Sequence, residues 1–189
     1  MSVHRCGWCE KDDLYRQYHD REWGVPVHDE RTLFEFLILE TMQAGLSWHT
    51  VLKKRDAFRA AYHNFDVNTV ARFTSNDVER LMLDAGIIRN RAKITASIAN
   101  AQAFLRVAEE WGSFDAYIWN FVDGRPVINA WSALSHLPAT TPLSDRISKD
   151  LRARGFAFVG STVVYAHMQA TGMVNDHLTS CFRYAEVQQ

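Results

Sequence analysis

"DERTLFEFLILETMQAGLSWHTVLKKRDAFRAAY", residues 29–62, holds two helical signals joined at one hinge, and its reading decides the fold class. Asp29 stands where an N-cap is wanted, because a short carboxylate can accept from the orphan N–H groups of a first turn. Gly45 stands where a helix ends, since glycine enters the left-handed conformation without a Cβ clash. Ser47 offers a second cap, and Val51, Leu52, Phe58 and Tyr62 recur among charges at amphipathic spacing. The pattern predicts helices over 29–45 and 47–62. Outward from this pair, Ser/Asp starts and glycine stops predict helices near 66–72, 75–85, 90–110, 114–122, 144–153 and 160–171. Nothing alternates as a strand, and "FAFVG" (156–160) is too short to count. No repeat, low-complexity tract or Pro/Gly/Ser linker divides the chain. The expected fold is all-α, with residues 1–189 forming a single domain.

A chain of 189 residues with 47% apolar and 12% aromatic types can bury a sizeable core, which excludes a disordered class. Its 21 basic and 22 acidic residues give a net charge of −1, so contact with a polyanion must come from a local patch. No secretory leader or long apolar run is seen, which predicts a cytoplasmic chain with no membrane partner. One compact domain suggests a monomer. The three cysteines, an odd number in a reducing compartment, argue against a disulfide framework and leave metal binding or burial.

Two pairs of soft ligands lie at opposite ends: Cys6 and His19 with Cys9 nearby, and His177-x-x-x-Cys181. Four N/S ligands suit one tetrahedral zinc, and on a helix an i, i+4 pair would point to one side. Closing so long a loop is tolerable, since its entropic cost grows only as the logarithm of length. The alternative is that His177 caps a helix end and Cys181 packs in the core. "LMLDAGIIRNRAKI" (81–94) joins two expected helices through Gly86, Ile87 and Ile88, then places Arg89, Arg91 and Lys93 with no acid among residues 86–94. Backbone N–H groups at a helix start beside three cations suit a phosphate chain, as in a helix-hairpin-helix spanning about 75–105. An ordinary αα-hairpin with a solvated basic face reads equally well.

Aromatic residues crowd the N-terminal segment: Trp8, Tyr15, Tyr18 and Trp23, with Trp48 just past the hinge. Such rings stack a planar ligand or fill a core. At about 100° per residue, Leu33, Phe36, Leu37 and Glu40 share one helix face, which sets a carboxylate within an apolar stripe. A buried glutamate is costly without a partner, so Glu40 marks either a site or an internal salt bridge.

"RCGWC" (5–9), "YRQYHDREWGVP" (15–26), "LFEFLILETMQAGLSWHTVLKKR" (33–55), "DAGIIRNRAKI" (84–94) and "GFAFVGSTVVYAHMQATGMVNDH" (155–177), with Cys181, together resemble the 3-methyladenine DNA glycosylase I family in the same order along nearly the whole chain. The resemblance implies an all-α helix-hairpin-helix glycosylase whose terminal segments are joined by one structural zinc on Cys6, His19, His177 and Cys181. Cys9 has no implied role. It also implies that an alkylated base is flipped from double-stranded DNA, stacked on Trp48 and Tyr18, and held at its edge by Glu40. Tyr15, Trp8 and Trp23 complete the wall, Leu46 fills the vacated space, and Gly86 to Lys93 grip flanking phosphates.

The implied reaction is hydrolysis of the N-glycosidic bond of 3-methyladenine, releasing the free base and leaving an abasic site. Residues 94–108 contain neither acid nor lysine, which predicts no accompanying strand cleavage. Two departures from the family pattern stand out. Ala92 occupies a position where glycine is common, which a helix favours, and Met42 leaves the range of accepted bases less defined. Net charge near zero predicts modest, salt-sensitive DNA affinity. Two other functions fit the same residues: a non-catalytic nucleic-acid-binding module, and a metal-dependent hydrolase, which a fully protein-liganded metal would disfavour.

Overall fold

The computed structural model describes residues 3–188. In chain order come α1 (Asp13–Arg21), α2 (Glu30–Gln43), α3 (Trp48–Leu52), α4 (Arg55–Ala61), α5 (Val67–Ala71), α6 (Ser75–Leu83), α7 (Arg91–Trp111), α8 (Phe114–Trp119), α9 (Pro142–Ala153), α10 (Ser161–Ala170) and α11 (Arg183–Glu186). The protein is mostly helical, as expected. One feature departs from that expectation: β1 (Val127–Ile128) pairs in parallel with β2 (Val174–Asn175). Two residues a side are too few to leave a period in the sequence.

Helix α2 is the axis of the fold. Asp29 caps it by accepting from the Thr32 N–H at 2.8 Å, and it stops at Ala44, with Gly45 left-handed at φ +83°. Every residue from Leu33 to Met42 is buried, so the expected single stripe is corrected to a helix enclosed all round, with α7 and α10 packed against it. Two acids lie in that run. Glu35 is neutralised by Arg55 and Arg59, whereas Glu40 has no such neighbour.

The single helix expected over 47–62 is broken at Lys53 and Lys54 into α3 and α4. The break turns Lys54 outward, and its Nζ donates to the carbonyls of Ala85 and Gly86 at 3.0 and 3.1 Å. Beyond the loop at 84–90, α7 starts from an Asn90 cap that accepts from the Lys93 N–H at 3.1 Å.

At the far end, α10 gives way to a turn at Gly172, whose φ is +70°. A Cβ added there would lie 2.4 Å from both Pro26 N and Val25 C. Gly172→Ala should therefore destabilise the fold by about 3 kcal/mol, from left-handed strain plus overpacking. Thermal unfolding would report it; a melting temperature within a degree of the parent protein would show that residues 25–26 can yield. After β2 the chain runs through bends and a turn, so His177 and Cys181 do not share a helix. What brings them together is the turn closed by Cys181 N–H donating to Leu178 O at 2.7 Å.

Candidate active site and metal centre

Trp8, Tyr15, Tyr18, Trp23, Glu40 and Trp48 all line one cavity of about 210 Å³. Helix α1 supplies Tyr15 and Tyr18 on adjacent turns, α2 supplies Glu40, and the Ser47 cap of α3 sets Trp48 beside them. The rings meet edge-on or tilted: Trp8 with Tyr15 at 4.9 Å, Trp8 with Trp23 at 5.0 Å, and Tyr18 with Trp48 at 5.3 Å between centroids. None closes face to face on another across the cavity, so flat faces remain for a guest.

The chemistry concentrates on two orphaned atoms. Glu40 Oε2 and Trp48 Nε1 are both buried without a hydrogen-bond partner among the described residues. Burial alone pushes the Glu40 carboxyl up to about 8, so an empty pocket holds it protonated at neutral pH. Burial, and then the charge of Glu40, raises the Tyr15 phenol to about 12 and keeps it protonated.

Gln43 of α2 adds to this lining, and sequence reasoning missed Leu137, Ala166 and Gln169, which complete it from the C-terminal half. Gln169 is fixed by Asp176, whose buried carboxylate also receives Asn129 Nδ2, Trp131 Nε1 and the Tyr165 hydroxyl. An indole N–H can only donate, and four donors fill the carboxylate's acceptor sites. His49 was likewise unforeseen; its Nε2 lies 2.6 Å from Asp12 Oδ2, and its ring stacks on Tyr15 at 5.0 Å. No periodic pattern announces either contact.

A second cavity of about 210 Å³ shares Glu40, Gln43 and Ala166 with the first and continues past Gly45 to Leu46, Thr162 and Val163. Leu46 is 44% exposed at this rim. The hairpin expectation needs correction at three residues. Gly86 N–H donates to Asp84 Oδ1 at 2.7 Å and Ile87 N–H to Asp84 O, so neither is free for an anion. Lys93 is buried, and its Nζ donates to Met42 O and Ala44 O at 3.0 and 2.6 Å, because the orphan carbonyls ending α2 lie beside the first turn of α7. Arg89 is exposed, as is Arg91, which forms an exposed pair with Glu79 at 2.9 Å. Among the described residues no acceptor engages the N–H groups of Ile88, Arg89, Arg91 and Ala92 at the start of this 21-residue helix.

Cys6, His19, His177 and Cys181 are buried together, their ligand atoms all within 4.8 Å of one another. Cys6 Sγ and Cys181 Sγ each lie 3.7 Å from His177 Nδ1, and Cys181 Sγ lies 3.5 Å from His19 Nε2. A zinc tetrahedron with usual Zn–S and Zn–N lengths has S···N edges of about 3.5 Å, so the donor set fits. The outer nitrogens are held too. His19 Nδ1 meets Asp20 at 2.8 Å, Asp20 is clasped by Arg5, and His177 Nε2 donates to Trp23 O at 3.0 Å. Such partners fix the ring tautomers that turn bare nitrogens toward a metal. Cys9 lies outside the cluster and donates to Cys6 O. The cluster backs the aromatic wall directly, since His177 packs edge-on to Trp23 at 4.6 Å.

The sequence profile of the family described as Methyladenine glycosylase matches residues 8–184. The chain belongs to the methyladenine glycosylase family. It is 50% identical over 182 residues to DNA-3-methyladenine glycosylase 1 of Escherichia coli (strain K12), covering 96% of this chain and 97% of that protein. It is 45% identical over 177 residues to DNA-3-methyladenine glycosylase of Haemophilus influenzae (strain ATCC 51907 / DSM 11121 / KW20 / Rd), covering 94% and 96%. Among solved structures, a crystal structure of 3-methyladenine DNA glycosylase I (TAG) superposes with a TM-score of 0.91 at 52% identity, over 95% of this chain and 98% of that one. The Staphylococcus aureus TAG, solved to explain 3-methyladenine recognition, gives 0.92 at 35% identity over 96% and 97%. The family drawn from the sequence blocks, and the mostly helical fold of methyladenine glycosylases, are thus both borne out.

Proposed function

We propose that this methyladenine glycosylase excises 3-methyladenine from alkylated double-stranded DNA in base-excision repair, leaving an abasic site. The observation that carries the reading is an aromatic-walled cavity with one buried, unpartnered carboxylate oxygen, Glu40 Oε2.

Methylation at N3 gives the adenine ring a positive charge, so the base departs neutral and needs little acid catalysis. Selection is therefore the main task. The faces of Trp48 and Tyr18 attract a cation over neutral adenine. A cation beside Glu40 also reverses the cost of ionising it, so the carboxylate accepts hydrogen bonds from the base edge as an anion. As the C1′–N bond breaks, its electron pair moves onto the ring and neutralises it. The sugar becomes oxocarbenium-like, and water adds at C1′ with loss of a proton. No lysine lines either cavity, which supports hydrolysis without strand cleavage.

Residues 75–105 serve as a helix-hairpin-helix. The N–H groups of Ile88, Arg89, Arg91 and Ala92, the positive end of α7, and the Arg89 and Arg91 side chains grip phosphates, with Arg91 exchanging Glu79 for DNA. Leu46, exposed on its left-handed turn, enters the space the base vacates. Cys6, His19, His177 and Cys181 would hold one zinc ion through four protein donors, and the ion would supply stability to the wall behind Trp23 and not chemistry at the base.

Incubation with methylated duplex DNA, followed by chromatography of the released bases, tests the reading. Free 3-methyladenine should accumulate, and Trp48→Ala should slow its release by about 10-fold, the order of one lost base-stacking contact. Binding without release would instead indicate a non-catalytic module.

A further inference from the structure

Lys93 is a cation placed for DNA by its neighbours and turned away from DNA by the fold. It is 6% exposed, and desolvation lowers its pKa. Its two acceptors, Met42 O and Ala44 O, bracket Gln43, which lines both cavities, and immediately precede Gly45 and Leu46. A cation is favoured at this end of α2 by the helix dipole. Lys54 makes the reciprocal link, reaching from the start of α4 to the carbonyls of Ala85 and Gly86 in the hairpin loop. Two lysines thus tie the hairpin and the 44–54 segment together in opposite directions. Lys93 is buried in its link and Lys54 half-buried in its own.

We infer that Lys93 is a positioning residue that couples phosphate engagement at Ile88–Ala92 to the seating of Leu46 during base extrusion. The inference rests on the glycosylase reading and adds a role for a residue that the family resemblance puts on phosphate. A hairpin settling on the DNA backbone carries Lys93 with it, and the two hydrogen bonds carry the end of α2 and the Leu46 turn.

Three measurements on Lys93→Met separate this role from its rivals. Single-turnover excision from DNA containing 3-methyladenine should fall about 10- to 100-fold, the order expected of sub-ångström misplacement at a reacting centre. Affinity for free 3-methyladenine, followed by tryptophan fluorescence, should stay within about twofold, because the free base needs no wedge. The slope of log affinity against log salt, on duplex holding an uncleavable abasic analogue, should be unchanged, whereas a lost phosphate contact lowers it by about 0.9. A lowered slope, a parallel loss of free-base binding, or unimpaired excision would each overturn the inference. A double-mutant cycle with Leu46→Ala adds a coupling test: the double variant should be little slower than the slower single variant, and additive effects would contradict it. Should Lys93→Met fail to fold, Lys93→Leu, which likewise lacks a donor, is carried through the same measurements with the same criteria. Release of 3-methyladenine by the unaltered protein tests the glycosylase reading separately, so the two can fail independently.

Discussion

Glu40→Gln is expected to lower kcat/KM for 3-methyladenine excision by about 100-fold, roughly 3 kcal/mol, since a charge-assisted contact to a cation in a desolvated site is lost. The same variant should unfold at higher temperature in alkaline buffer. The Glu40 carboxyl is raised by burial from 4.5 to about 8, so the folded chain holds a proton through that window which the unfolded chain has released. Stability linked to this group is complete below about pH 4.5, declines as pH rises to about 8, and stays reduced above it. Glutamine does not ionise, so the stability gap favouring the variant should open over that interval, to a few kcal/mol by pH 9. In the parent protein, kcat/KM should climb with a limb near pH 8 that the variant lacks. Parent-like activity, or melting curves whose pH dependence matches, would remove Glu40 from the mechanism.

Loss of the zinc proposed at Cys6, His19, His177 and Cys181 is expected to give the largest fall in stability. Chelation, or Cys181→Ser, should lower the melting temperature by about 10 °C or more, because removing a structural metal exposes several kcal/mol of folding energy and each costs a chain of this size about 2–4 °C. Zinc content per chain should fall from about one toward zero in step, as four protein ligands to one ion require. His19 and His177 pack against Trp8 and Trp23, so surviving folded protein should bind free 3-methyladenine more weakly. A melting temperature indifferent to chelation, in protein shown to lose its metal, would leave the cluster without a structural task.

Much of this molecule is legible in its sequence, and the gaps have a common cause. Helix starts marked by Asp29 and Ser47 agree with the fold because caps are local chemistry. The cavity residues were legible because each is an aromatic or acid out of keeping with its surroundings. Helix α1 went unread among aromatics and candidate ligands, although Asp12 caps it by accepting from the Tyr15 N–H. Lys93, Asp176 and the Lys54 break depend on partners far away in sequence, and no window of neighbouring residues encodes them. The His177–Cys181 spacing suggested a helix, yet a turn answers it, because i, i+4 proximity is not unique to helices.

The four-ligand cluster also imposes an order in time. Cys6 and His177 are 171 positions apart, so at roughly 5–20 residues per second the first ligands wait on the order of 10–30 s of synthesis for the last. Until then Trp23 lacks its edge-on contact with His177, although His19 and Trp8 already pack against it. The cluster therefore ties the last-made part of the chain to the first-made, and the edge-on contact of His177 with Trp23 is among the last to form.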